Sequence, residues 1–274
     1  MQEKIHTWGK PSHQALVFLH GLGSSGLMFQ EVAHHLEDFY IVSLTLPGHG
    51  GRIDLEDDQS YRYSALVHQI RREIETVLSN RTFYLVGHSW GAELALAYAH
   101  YFPKRLLGIV LLDGGYLTAD DLGMTIKQEL EDTKKFLKQT VYPSMHEFLQ
   151  SERSQRERWN KDLETAAKGC VRETENGTVQ LAVSEFTSLS IVRARYEQPL
   201  QDLTSFIELP ILLLIATLPE AFSSLRNTVA KRLQHPAIKI LPIPYASHDL
   251  VADQPEQVAD TIKKWITKRH DKTL

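Results

Sequence analysis

Short, nearly uninterrupted apolar runs, each halted by a strand breaker or a helix cap, constrain this 274-residue chain more than any other feature. Ala15-Leu16-Val17-Phe18-Leu19, Tyr40-Ile41-Val42-Ser43-Leu44 and Phe83-Tyr84-Leu85-Val86 read as strands buried on both faces. Leu106 to Leu112, Ile211 to Ile215 and Ile238 to Ile243 repeat the type, which predicts six strands. Helical patterns lie between them. Val67, Ile70, Ile74 and Val77 recur at spacings of three and four, and Ala92 to Tyr101 is rich in Ala and Leu. A last helix is expected from Pro255, with Val258, Ile262, Trp265 and Ile266 along one stripe. Strand and helix in alternation imply an α/β fold: a mostly parallel sheet with helices on both faces.

The alternation fails between about Thr118 and Ser205, where amphipathic, densely charged helical patterns such as Ile126 to Leu137 and Glu152 to Lys168 take over. Residues 1–117 and 206–274 therefore read as the α/β core, and residues 118–205 as an inserted helical cap. Such an insert sits over the carboxyl ends of the strands, where open α/β sheets bind ligands. Thirty Lys plus Arg against 34 Asp plus Glu offer no excess positive charge for a phosphate backbone, so nucleic acid is excluded as a first reading. One cysteine, Cys170, rules out an intramolecular disulfide. Neither a signal peptide nor a bilayer-length apolar run is present, so the expectation is a cytoplasmic protein with no membrane partner. Oligomeric state is left open.

The chemistry concentrates at Gly87-His88-Ser89-Trp90-Gly91, which fits G-x-S-x-G and falls between a predicted strand and a predicted helix. A sharp turn there would push the serine hydroxyl above the sheet, and glycines two before and two after it let strand and helix approach. Ser89 is the candidate nucleophile. It needs a base with an oriented ring, and His248, in Ala246-Ser247-His248-Asp249-Leu250 ahead of the last helix, falls at the same sheet edge. His88 reads as scaffold.

With His20-Gly21-Leu22-Gly23 after an early strand, Pro47-Gly48-His49-Gly50 after the next, the serine turn and the late histidine, the sequence resembles the α/β-hydrolase superfamily over nearly its whole length. The resemblance implies an oxyanion hole from the backbone N–H groups of Leu22 and Trp90. The acid departs from the common pattern. Ala216-Thr217-Leu218-Pro219-Glu220 has no aspartate after the strand that usually supplies it. Asp113, ending the preceding strand before Gly114 and Gly115, is preferred, and Glu220 is the alternative. Both fit the chain order Ser, acid, His.

The expectation is a serine hydrolase of a small to medium, largely apolar carboxylic ester, with no cofactor and no metal. A lactonase, thioesterase or C–C bond hydrolase would use the same groups, and a receptor of the same fold without turnover is a different class. The acidic run Asp54 to Asp58 reads as a solvated loop. Trp90 is expected to narrow the pocket, with Tyr116, Phe136, Tyr142, Phe148, Trp159, Phe186 and Tyr196 as possible walls.

Overall fold

The computed structural model describes residues 4–198, 207–233 and 237–270. All six expected strands form, within a residue or two of the anticipated bounds: β2 (Gln14–Leu19), β3 (Phe39–Leu44), β4 (Phe83–His88), β5 (Leu106–Leu112), β9 (Ile211–Ala216) and β10 (Ile238–Ile243). They make a seven-stranded sheet with β1 (Ile5–Trp8), in the order β1-β3-β2-β4-β5-β9-β10. Every described pair is parallel except β1 with β3. The sequence pattern does not reveal β1, a four-residue edge strand whose half-buried residues give no continuous apolar run.

Period-two alternation divides each strand between two cores. Ala15, Val17 and Leu19 face the layer of α2 (Tyr63–Leu78), α3 (Trp90–Tyr101) and α8 (Glu220–Arg232). Leu16 and Phe18 face α1 (Gln30–His34), α9 (Leu250–Asp253) and α10 (Pro255–His270). The expected stripe Val258, Ile262, Trp265 and Ile266 is buried there, and Trp265 meets Tyr84 edge-on with ring centroids 5.8 Å apart. None of the described helices is long and apolar enough to cross a membrane.

The inserted segment carries α4 (Ile126–Gln139), α5 (Met145–Ser154), α6 (Lys161–Gly169) and α7 (Glu185–Glu197). It is not purely helical. Three strands, β6 (Val141–Tyr142), β7 (Val171–Glu173) and β8 (Val179–Leu181), form an antiparallel sheet in the order β6-β8-β7. At two or three residues each they are too short to show a period. The available signal was Asn176-Gly177: Gly177 has φ +78° and donates to the Thr174 carbonyl at 2.9 Å, turning β7 into β8. The single helical pattern expected from Glu152 to Lys168 is in fact split, because Asn160 accepts from the Leu163 N–H at 2.9 Å and starts a new helix. The expected boundary between cap and core, at 205/206, lies outside the described residues.

An ion-pair network seats this segment on the core. Arg195 of α7 bonds Glu93 of α3 through Nε at 3.0 Å and Nη2 at 3.0 Å, and reaches Glu129 of α4 at 2.5 Å. Tyr63 also donates to Glu93, whose side chain is almost wholly buried. The acidic run is likewise no free loop: Asp54 accepts from Thr187 at 2.9 Å, and Asp58 pairs with Arg193 at 3.3 Å. Removing one member of a buried pair leaves the other charge uncompensated. Arg195→Met is expected to lower the free energy of unfolding by about 3 kcal/mol, read from urea denaturation midpoints; an unchanged midpoint would refute the network's role.

Candidate active site

β4 ends at His88 and α3 begins at Trp90, leaving Ser89 alone in the turn with φ +53° and ψ −121°. A residue bearing a Cβ reaches this region only when its surroundings hold it there. The Ser89 N–H donates to the Leu112 carbonyl at 3.0 Å, and the Ser89 carbonyl accepts from the Ala92 N–H at 3.0 Å. The flanking glycines answer to close approach: a Cβ on Gly87 would lie 2.2 Å from the Gly91 carbonyl oxygen, and one on Gly91 2.2 Å from that of Leu19.

His248, on the loop between β10 and α9, presents Nε2 to Ser89 Oγ at 2.9 Å and Nδ1 to Asp113 Oδ2 at 2.8 Å. With Asp113 ionised, the imidazole proton belongs on Nδ1, which leaves Nε2 free to accept from the serine hydroxyl. The Asp113 side chain is 1% exposed, and its carboxylate also accepts from Tyr116 at 3.0 Å and from the Ala216 N–H at 3.0 Å. Arg226 of α8 stands 3.2 Å from Oδ2. Burial by itself would raise the pKa of this carboxyl, but the bonds from His248 and the Ala216 amide, with the Arg226 charge, outweigh it and hold Asp113 below the usual range. Glu220 is not brought to His248: it is exposed in the first turn of α8.

Three buried histidines belong to the serine turn and the loops packed against it. His20 donates from Nδ1 to the Gly21 carbonyl at 2.8 Å and accepts the Leu46 N–H on Nε2 at 2.9 Å, joining the loops after β2 and β3. His49 stacks on Trp90 with centroids 5.6 Å apart, and Trp90, which is buried, lines neither of the two cavities described below. His88 anchors the loop that carries His248, since its Nε2 donates to the His248 carbonyl at 2.7 Å. Burial pushes all three below the ordinary histidine value, His49 to about 4.

The Ser24 N–H closes a turn on the Gly21 carbonyl at 3.2 Å, with Gly23 at φ +80°. Leu22 is the second residue of that turn, whose N–H the turn itself does not use. The Trp90 N–H opens α3 and has no partner within the helix. Two cavities border this loop under the inserted segment. One of about 350 Å³ is lined by Ser24, Phe148, Cys170 and Asp249, and one of about 330 Å³ by Leu22, Gly23, Met124 and Leu137. Of the expected wall aromatics, Phe136, Tyr142 and Phe148 line them. Tyr116 instead serves Asp113, Trp159 packs inside the inserted segment and Phe186 meets Tyr61 edge-on. Among the described residues no group of three His, Cys, Asp or Glu is placed to hold a metal ion.

Sequence reasoning did not find Tyr116 as a partner of Asp113, nor Arg226, which arrives from a helix more than a hundred residues away. No local pattern marks either.

The model of the alpha/beta hydrolase family matches residues 16–261. A 2-succinyl-6-hydroxy-2,4-cyclohexadiene-1-carboxylate synthase of Enterobacter sp. (strain 638) is 33% identical over 110 residues, covering 39% of this chain and 40% of that protein. Monoacylglycerol lipase ABHD6 of Rattus norvegicus is 30% identical over 152 residues, covering 52% of this chain and 44% of the relative. The chain thus spans about half the length of the curated relatives it matches, or somewhat less. In fold it is similar to the crystal structure of E-2-(acetamidomethylene)succinate hydrolase, with a TM-score of 0.75 at 18% identity over 96% of this chain and 94% of that one.

The neutral histidines give stability a pH dependence. The folded chain keeps His49 unprotonated down to about 4, whereas the unfolded chain takes up that proton near 6.5. Between those values the unfolded state binds more protons, so stability is complete above about 6.5 and falls as pH is lowered. Unfolding free energy is expected to drop between pH 7.5 and pH 5, and about 2 kcal/mol of that drop is expected to vanish in His49→Gln. Equal drops in both proteins would contradict this.

Proposed function

The chain belongs to the α/β hydrolase family, and on that premise we propose that it is a serine hydrolase cleaving a small to medium, largely apolar carboxylic ester. The observation that carries the reading is the continuous hydrogen-bonded chain from Ser89 through His248 to Asp113, at 2.9 and 2.8 Å. In this mechanism His248 Nε2 takes the hydroxyl proton as Ser89 Oγ attacks the ester carbonyl carbon. Asp113 keeps the ring oriented and stabilises the imidazolium that forms. The carbonyl oxygen gathers negative charge in front of the Leu22 and Trp90 amides, and two such donors lower the barrier by several kcal/mol. His248 then returns the proton to the departing alcohol, leaving the acyl group on Ser89. Water, deprotonated by the same nitrogen, attacks the acyl carbon; the bond from that carbon to Ser89 Oγ breaks, the acid leaves, and His248 returns the proton to Oγ.

The preference for Asp113 over Glu220 is supported by the three hydrogen-bond donors and the Arg226 ion pair around the Asp113 carboxylate, and by the exposure of Glu220. Tyr116 and Arg226 act on the reaction only through Asp113, which makes them positioning residues.

Turnover of short-chain nitrophenyl esters tests the assignment. Ser89→Ala is expected to lower kcat by about 10³-fold or more, Asp113→Asn by about 10³-fold, and Glu220→Gln by less than about twofold. Equal rates in wild type and Ser89→Ala would sink the serine mechanism. A larger loss at Glu220 than at Asp113 would transfer the acid role to Glu220.

A further inference from the structure

The two cavities beside the Gly21–Ser24 turn differ from ordinary apolar clefts in their charge. The larger is lined by Glu152, Asp249 and Arg156, and the smaller by Glu129 and Asp132. Arg156 is the only cationic side chain lining either cavity among the described residues, and it is already engaged twice. Its Nη1 donates to Asp249 Oδ2 at 2.9 Å and its Nη2 to Glu152 Oε2 at 3.2 Å. A guanidinium flanked by two carboxylates of its own chain has its charge more than offset, and so offers little net attraction to a substrate carboxylate. The trio carries a net charge of −1, by the arithmetic of one arginine and two acids.

The smaller cavity follows the same rule. Glu129 is met by Arg195, but Arg195 is shared with Glu93, and Asp132 adds a further negative charge at the rim. The Cys170 thiol in the larger cavity, pushed by burial up to about 11, contributes no charge. Asp249 follows His248 directly in the chain, and Leu22 and Gly23 follow Gly21, whose added Cβ would stand 3.0 Å from Ser89 Cβ. Neither cavity is lined by Ser89 or His248 itself, but each is lined by a residue next to His248 or by the turn that begins at Gly21, so both clusters stand beside the ground where the two arms of an ester bound at Ser89 must lie. An anionic arm would lose its hydration in a cleft whose own field is negative and whose single cation is spent.

We infer that the site selects esters whose acyl and alcohol parts are neutral or cationic, and turns away those carrying a carboxylate near the scissile bond. This rests on the serine hydrolase reading and deepens it. Arg156 on this view is no substrate reader; it holds α5 of the inserted segment to the loop that bears His248.

Three nitrophenyl esters of matched length test the inference: the pentanoate, the hydrogen glutarate and the 4-(trimethylammonio)butyrate. Wild-type kcat/KM is expected to favour the neutral and cationic esters over the glutarate by about tenfold or more at low salt, and the gap to narrow at high salt. In Glu152→Gln and in Asp132→Asn the ratio of pentanoate to glutarate is expected to fall severalfold; the ratio cancels any change common to both esters. A glutarate cleaved as fast as the pentanoate, or a ratio indifferent to salt and to both substitutions, would overturn the inference. If no ester turns over, the serine hydrolase reading fails on its own account, and calorimetric binding of pentanamide against glutarate monoamide then decides the charge preference. Tighter binding of pentanamide supports it, and equal or tighter binding of the anion refutes it.

Discussion

One buried carboxylate organises the site. Asp113 sits at the end of β5 with its own backbone at φ +44°, its N–H donating to the Leu214 carbonyl of β9 at 2.8 Å. An ionised carboxyl shut away from water is unfavourable unless donors replace its hydration. Here three donors and one cation do so, and they come from separate parts of the chain: the turn after β5 gives Tyr116, the end of β9 gives Ala216, the loop after β10 gives His248 and α8 gives the Arg226 charge. Those elements must be seated together for the carboxylate to be satisfied. The orientation of the His248 ring then follows, and with it the direction of Nε2 toward Ser89.

The histidines around the turn show how neutral imidazole can build structure. His20 spends both ring nitrogens on backbone groups, His88 spends one, and His49 donates from Nδ1 to the Pro47 carbonyl at 2.9 Å while stacking on Trp90. Held neutral by burial, a histidine offers one donor and one acceptor in a fixed plane, which is what joining two loops requires. His88 has the most direct consequence, since the carbonyl it holds is that of His248 itself. Two of the three therefore position groups from which the proposed chemistry is built: the Gly21 turn and the His248 main chain.

What was legible in the sequence follows from the range of each interaction. Strands β2, β4, β5 and β9 could be read because burial on both faces demands an unbroken apolar run. The Ser89 turn could be read because strand, glycine, serine, glycine and helix are contiguous. Asp113 could be preferred from its place at a strand end, but Tyr116, three residues on, reads from sequence as a pocket wall, since the direction of a side chain after a turn depends on the turn. Arg226 and Arg195 left no trace, because long-range ion pairs have no sequence period. The small sheet of the inserted segment escapes notice for lack of length, and the stacking of Trp90 on His49 is hidden because the two residues meet only in the fold.

The central claim is that Ser89, oriented by His248 and Asp113, takes the acyl group covalently. Rapid-quench mass spectrometry of the whole protein mixed with an activated ester tests it most directly. An acyl adduct that forms in the first turnover, maps to the peptide containing Ser89 and then disappears as product accumulates is the expected result. Hydrolysis without any adduct, or an adduct that maps to another residue, would contradict it.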